Sequence, residues 1–141
     1  MSEILERKNI ILNSDLKTKK DVIKAMGKML TDSGYTTEKY IQAMLDKEKV
    51  FNTAIGNFVA IPHGIESGKV EVLKTGLAVM TFPDGIDWDD GNTVKLIVAI
   101  AADGDEHIDI LSKIALACYD EAAVEKIIQK GEDEILAMFT E

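Results

Sequence analysis

The stretch "VKLIVAIAA", residues 94–102, is apolar at its odd and its even positions alike. Side chains of a strand alternate between two faces, so a strand with one face in water reads as apolar and polar in turn. A run apolar on both faces belongs at the centre of a sheet that helices cover on each side. Three further runs supply neighbours for it. "LKTGLAVMTF" (73–82), "TAIGNFVAI" (53–61) and the short "NIILN" (9–13) are rich in β-branched and aliphatic residues and are bounded by Gly, Asn, Ser and Asp. Between the last two long runs, "FPDGIDWDDGN" (82–92) reads as a turn-rich connection.

The remaining segments have helical spacing. Thr18 with Asp21 forms a capping pair ahead of Val22, Ile23, Met26, Met29 and Leu30, and the helix stops at "DSGY". A second helix starts near Thr36 or Thr37, buries Tyr40, Ile41, Met44 and Leu45, and leaves "DKEK" (46–49) at its solvent-facing end. After "DGDEH", residues Ile108, Leu111, Ala115 and Cys118 mark one helical face with Ile114 beside it. Asp120 then caps a helix holding Val124, Ile127 and Ile128, Gly131 ends it, and "EDEILAMF" closes the chain. The order is one strand, two helices, several strands, then helices. It argues for an α/β (α+β) protein with a single mixed sheet of about five strands flanked by helices on both sides, not a repeating βαβ array. With 141 residues and no linker or low-complexity tract, residues 1–141 are expected to form one domain.

Composition narrows the function. Apolar and charged fractions of 46% and 29% suit a globular, water-soluble chain. No apolar run approaches the length of a membrane span, and "MSEILERKN" carries no signal segment, so no membrane insertion is expected. A single cysteine, Cys118, rules out an internal disulfide and fits a reducing, cytoplasmic setting. A net charge of −9 disfavours nucleic acid and anionic lipid as partners, while it either attracts a basic protein or serves solubility alone.

The chain has two histidines. His63 lies in "VAIPHGIES" (59–67), between a proline that holds the preceding strand extended and a glycine that frees the chain to turn and leaves its N–H uncrowded. The imidazole therefore projects from a strand end, as a general base, a metal ligand, a nucleophile or a turn histidine held by hydrogen bonds. His107, in "DGDEHIDIL", follows the strand 94–102 as His63 follows "VAI". If the two strands run parallel, the two rings meet at one sheet edge. At a helix start the dipole favours a neutral ring, although a lone histidine there is more often a surface cap. Cys118 reads as helix core, and the carboxylates of "DWDD" and "DGDE" read as solvated loops. That leaves the two histidines as the site, with loop glycines, Ser67 and the basic "KEK" as helpers.

"IGNFVAIPHGIESGKV", "LKTGLAVMTFPDGIDW" and "DEHIDIL" together resemble the mannitol-type Enzyme IIA of the bacterial phosphoenolpyruvate-dependent sugar phosphotransferase system, over nearly the whole chain. The resemblance implies a phosphotransferase that takes a phosphoryl group from the phosphocarrier protein HPr and passes it to a cysteine of the IIB component. It implies that His63 is phosphorylated on Nε2 and that His107 is the second active-site histidine. The family usually carries an arginine where this chain has Lys47, which supplies charge without the two-pronged grip of a guanidinium. Fructose-type and nitrogen-regulatory IIA proteins are the nearest alternatives. Such chemistry expects the N–H groups from Gly64 to Ser67, Lys47 and His107 to donate to the phosphoryl oxygens. It expects an Nδ1–H bond to a backbone carbonyl that turns Nε2 outward, and a shallow docking face with apolar contacts such as Ile65 and Phe58. No metal or cofactor is called for.

Overall fold

The computed structural model describes residues 4–89, 91–102 and 104–140. Its single sheet has five strands: β1 (Ile10–Ile11), β2 (Ala54–Gly56), β3 (Val59–Ala60), β4 (Gly76–Asp87) and β5 (Thr93–Ala101), in the order β1-β4-β5-β3-β2. β1 is parallel to β4, β4 antiparallel to β5, β5 parallel to β3, and β3 antiparallel to β2, so the sheet is mixed as expected.

β5 has a neighbour on both sides and a helical layer on both faces. Leu96, Val98 and Ile100 pack with Ile110, Ile114, Val124, Ile127, Ile135 and Phe139 of helices α3 (Gly104–Ala117), α4 (Glu121–Ile127) and α5 (Glu132–Thr140). Ile97, Ala99 and Ala101 face the opposite layer with Val22, Ile23, Met26 and Leu30 of α1 (Lys19–Asp32) and Tyr40 and Met44 of α2 (Lys39–Val50). Ala60, Ala78, Ala99 and Ala101 keep part of that second face low, which lets the bulky Tyr35, Tyr40 and methionine side chains lie close to the sheet. Each fully buried Leu or Ile contributes roughly 2 kcal/mol of burial free energy, so this strand anchors both cores.

The caps at Thr18 and Asp120 form: their side chains accept from the N–H groups of Asp21 and Ala123. Other boundaries differ. "TAIGNFVAI" is a hairpin, not one strand, because Gly56, Asn57 and Phe58 all take positive φ (93°, 53° and 71°) and reverse the chain. β4 begins at Gly76, since the N–H groups of Leu73 and Lys74 both bond to Tyr35 O, and it continues through "FPDGID" to Asp87. The continuation survives through a bulge. Thr81 pairs with Leu96 and Ile86 with Val94, so the extra residues loop out around Gly85 at φ 84°.

The "DKEK" end of α2 is not simply solvated. Glu48 is turned inward, bonded to Lys19 at 2.9 Å and accepting from Thr53 N and Oγ1, while Trp88 Nε1 donates to the same Thr53 hydroxyl at 3.3 Å. On α3 the buried row is Ile110 and Ile114, continued by Cys118 just past the helix end, whereas Ile108 is 61% exposed and Ala115 also faces water. Two overlapping apolar stripes fit this helix equally well by period, and packing against Ile135 and Phe139 selects the second.

Candidate functional site

β3 and β5 are parallel, and an isolated parallel bridge pairs His63 with Ile100, near the end of β5. The chain leaving β3 therefore delivers His63 to the same edge at which β5 hands over to α3, whose first turn carries His107. The two rings stand 5.2 Å apart between centroids and nearly perpendicular, at 84°. Beside them lies a cleft of about 300 Å³ whose lining includes Tyr40, Lys47, Gly64, Ile65, Lys69 and Ile108.

His63 Nδ1 lies 2.7 Å from Ile61 O. A carbonyl only accepts, so Nδ1 carries the proton, and in the neutral ring the lone pair sits on Nε2. Pro62 makes this local bond possible by fixing the turn between Ile61 and His63. The His107 pKa is held below the ordinary histidine range, first by burial, then by the facing His63 and by the charge of Lys69. Position in the first turn of α3 acts in the same direction, but burial leads. His107 is thus a neutral ring near pH 7.

Tyr40 holds the turn that follows His63. Its hydroxyl donates to Ile100 O at 2.9 Å and accepts from Gly64 N at 2.8 Å, which ties the residue after His63 to the strand opposite it. Gly64 itself is needed for space, not for a turn. Its φ is not positive, and a Cβ there would lie 2.5 Å from Tyr40 Cε1. Burial raises the Tyr40 pKa, so the phenol stays protonated. Replacing Tyr40 by Phe is expected to leave both backbone groups without this partner and to lower stability by about 2 kcal/mol. A denaturant titration with unchanged slope and a lower midpoint checks it; an unchanged midpoint contradicts it.

Several helper assignments change. The Gly64 N–H is committed to Tyr40, and Ile65 N donates to Ala43 O at 3.0 Å, so neither is an open oxyanion donor. Ser67 is exposed on the 3-10 helix Glu66–Glu71 and does not line the cleft. Phe58 lies in the hairpin turn at the far end of β3, beneath Lys95 at 4.7 Å, and takes no part in the rim. Ile65 does line the cleft, joined by Val72, Ala102 and the exposed Ile108. Lys47 is half-buried in the last turn of α2, with its ammonium over the Phe51 ring at 5.2 Å, and it lines the cleft. Cys118 is buried, and burial pushes its thiol up to about 11, far from a reactive thiolate. Of the acidic loops, Asp89 pairs with Lys19, while Asp90 and Asp103 lie outside the described residues.

Sequence reasoning missed two residues. Tyr40 read as core by its spacing, and nothing in a helical period marks a hydroxyl bonded at both ends. Lys69 sits in "ESGKVEVLK", which reads as a loop; only the Glu66–Lys69 spacing hints at a shared face.

A family described as "Phosphoenolpyruvate-dependent sugar phosphotransferase system, EIIA 2" matches residues 3–141. The chain is 42% identical over 140 residues to the mannitol-specific phosphotransferase enzyme IIA component of Bacillus subtilis (strain 168), covering 99% of this chain and 98% of that one. It is similar in fold to the crystal structure of IIA mannitol from Escherichia coli, with a TM-score of 0.85, 33% identity and coverage of 96% and 98% of the two chains. It also matches a chain in the complex of enzyme IIA mannitol with phosphorylated enzyme IIB mannitol from Escherichia coli, with a TM-score of 0.84, 32% identity and coverage of 96% and 97%. Among the described residues, no helix is long and apolar enough to cross a membrane.

Proposed function

This chain belongs to the EIIA 2 family of the phosphoenolpyruvate-dependent sugar phosphotransferase system, and on that premise we propose that residues 1–141 act as one cytoplasmic IIA domain that carries phosphoryl groups for mannitol uptake. The donor is phospho-HPr and the acceptor is the cysteine of a mannitol IIB component. The observation that carries the reading is the His63 ring, whose Nδ1–H is held by Ile61 O while His107 and the Lys47-lined cleft stand beside it.

In the first transfer the Nε2 lone pair of His63 attacks the phosphorus, and the donor's N–P bond breaks with its electron pair returning to the donor ring. Nδ1 keeps its proton throughout. As Nε2 gives up its lone pair the imidazole becomes cationic, and the Ile61 carbonyl stabilises that charge. A ring kept protonated on Nδ1 is also a good leaving group, so the second transfer to a thiolate breaks the same N–P bond. Charge in flight rests on three equatorial oxygens, with entering and leaving atoms in line. His107 and Lys47, which line the cleft, are the donors to those oxygens in this reading, and each preorganised donor of this kind contributes roughly 3 kcal/mol to the barrier reduction. Neutrality of His107 suits this: it donates a hydrogen bond without a full charge that would trap the phosphoryl group.

Ile65, Val72 and Ile108 supply apolar contact around the cleft for partners that must dock ring to ring and then leave. Mannitol is favoured over the fructose and regulatory alternatives by the relatives' names.

The test is reconstitution. With phosphoenolpyruvate, Enzyme I and HPr, each chain is expected to gain one acid-labile phosphate, which then passes to a mannitol IIB cysteine. Failure to label overturns the phosphocarrier reading, and transfer to a fructose IIB but not a mannitol IIB overturns the sugar assignment.

A further inference from the structure

We propose that Lys69 is a second phosphoryl-binding cation of this cleft, parked on Glu66 while the cleft is empty and exchanged onto the phosphoryl oxygens when the group arrives. The inference rests on the phosphocarrier reading and deepens it.

Lys69 and Lys47 reach the cleft from different elements, the 3-10 helix Glu66–Glu71 and the end of α2. In a 3-10 helix residues three apart are eclipsed, so Glu66 and Lys69 share one side, and the Lys69 ammonium lies 3.0 Å from Glu66 Oε1. Both side chains are open to water, at 49% and 84% exposure. An ion pair in that setting holds weakly, so the ammonium is free to change partner. A phosphoryl group brings close to two negative charges and three acceptor oxygens to the same cleft, against one carboxylate. Lys69 is already near enough to the reacting rings for its charge to be felt at His107.

The base of the lysine does not move with it. Gly68 is buried against Ala43, where a Cβ would lie 2.5 Å from the alanine methyl, and Thr37 Oγ1 donates to Glu71 Oε1 at 2.6 Å. Thr36 also bridges to Val72. The 3-10 helix is therefore clamped to α2 and to the turn before it, and only the flexible lysine stem has to swing. Lysine suits such an exchange, since a point charge on a four-carbon stem needs no fixed orientation.

Phosphoryl uptake from phospho-HPr by the full chain, measured in the wild type, K69M, K69R and E66Q, separates the outcomes. K69M is expected to slow uptake by about 10- to 100-fold, at or below the effect of losing a donor in a closed site, because this cleft is open. K69R is expected to stay within a few-fold of the wild type, and E66Q to match or exceed it. Both K69M and E66Q break the ion pair, but only K69M removes the cation. Equal slowing in the two, or no slowing in K69M, overturns the inference. A titration of His107 by NMR adds a readout that needs no transfer: its midpoint rises in K69M, and an unmoved midpoint takes Lys69 away from the ring. A wild type that accepts no phosphoryl group defeats the phosphocarrier reading instead, while the His107 shift would still place Lys69 at the cleft.

Discussion

Replacing His63 by glutamine is expected to abolish phosphoryl uptake while the protein stays folded. In the relay proposed above His63 is the nucleophile, and its loss removes the intermediate itself, so the rate should fall by on the order of 10⁴-fold or more. Among the described residues, no other side chain stands ready to take over. The Cys118 thiol is buried with its pKa pushed up to about 11, and the His107 ring is itself half-buried, in a T-shaped pair with His63 at 84°. The fold has little at stake in this ring, which is half-buried and makes its Nδ1 bond to a carbonyl two residues away. Losing that bond costs about 1 kcal/mol. Intact-mass measurement after incubation with phosphoenolpyruvate, Enzyme I and HPr reads the label, and a thermal melt reads the fold. Label persisting on the glutamine variant would move the carrier role to His107 and reverse the roles of the two rings.

How much of this site the chain announces in advance depends on the range of the interactions involved. β5 is legible because its partners are both helical layers, and apolar residues at every position record that directly. The His63 turn is legible because Pro62 and Gly64 act on their own neighbours. Even there the reason for Gly64 differs. The glycine clears the Tyr40 ring, a contact from α2 that no local rule contains. The meeting of His63 and His107 needs the parallel pairing of β3 and β5, and direction of pairing is a long-range property to which residues 59–61 and 94–102 contribute no distinguishing mark. Lys69 fails for the opposite reason. Its segment is short and irregular, and a 3-10 turn leaves too few residues for a period to show. The hairpin at Gly56–Asn57–Phe58 was available in principle, since Gly-Asn is a turn signal, but the apolar residues on both sides masked it.

Gly76→Ala is expected to be the most damaging single methyl added to this protein. Gly76 opens β4 on the face shared by Ala78 and Met80, and a Cβ there would fall 2.1 Å from Tyr35 Cγ, with two more ring atoms at 2.2 and 2.4 Å. Contacts that short cannot be absorbed by a small shift, so the ring or the strand must move. The ring is poorly placed to do so. Tyr35 is fully buried, and its carbonyl accepts from Leu73 N at 2.7 Å and Lys74 N at 3.2 Å, just before the strand begins. Overpacking of a closed core costs up to about 3 kcal/mol, which for a chain of this size lowers the melting temperature by roughly 10 °C. The damage should reach the site, because Gly76 pairs with Ala101, the adjacent pair is Leu77 with Ile100, and Ile100 also holds Pro62 O, His63 and the Tyr40 hydroxyl. Phosphoryl uptake is therefore expected to fall along with stability. Y35A in the same background removes the three ring atoms that the methyl would strike, so the double variant should be more stable than the sum of the two single losses implies. Strict additivity in that cycle would mean that the glycine is required for a reason other than the tyrosine ring.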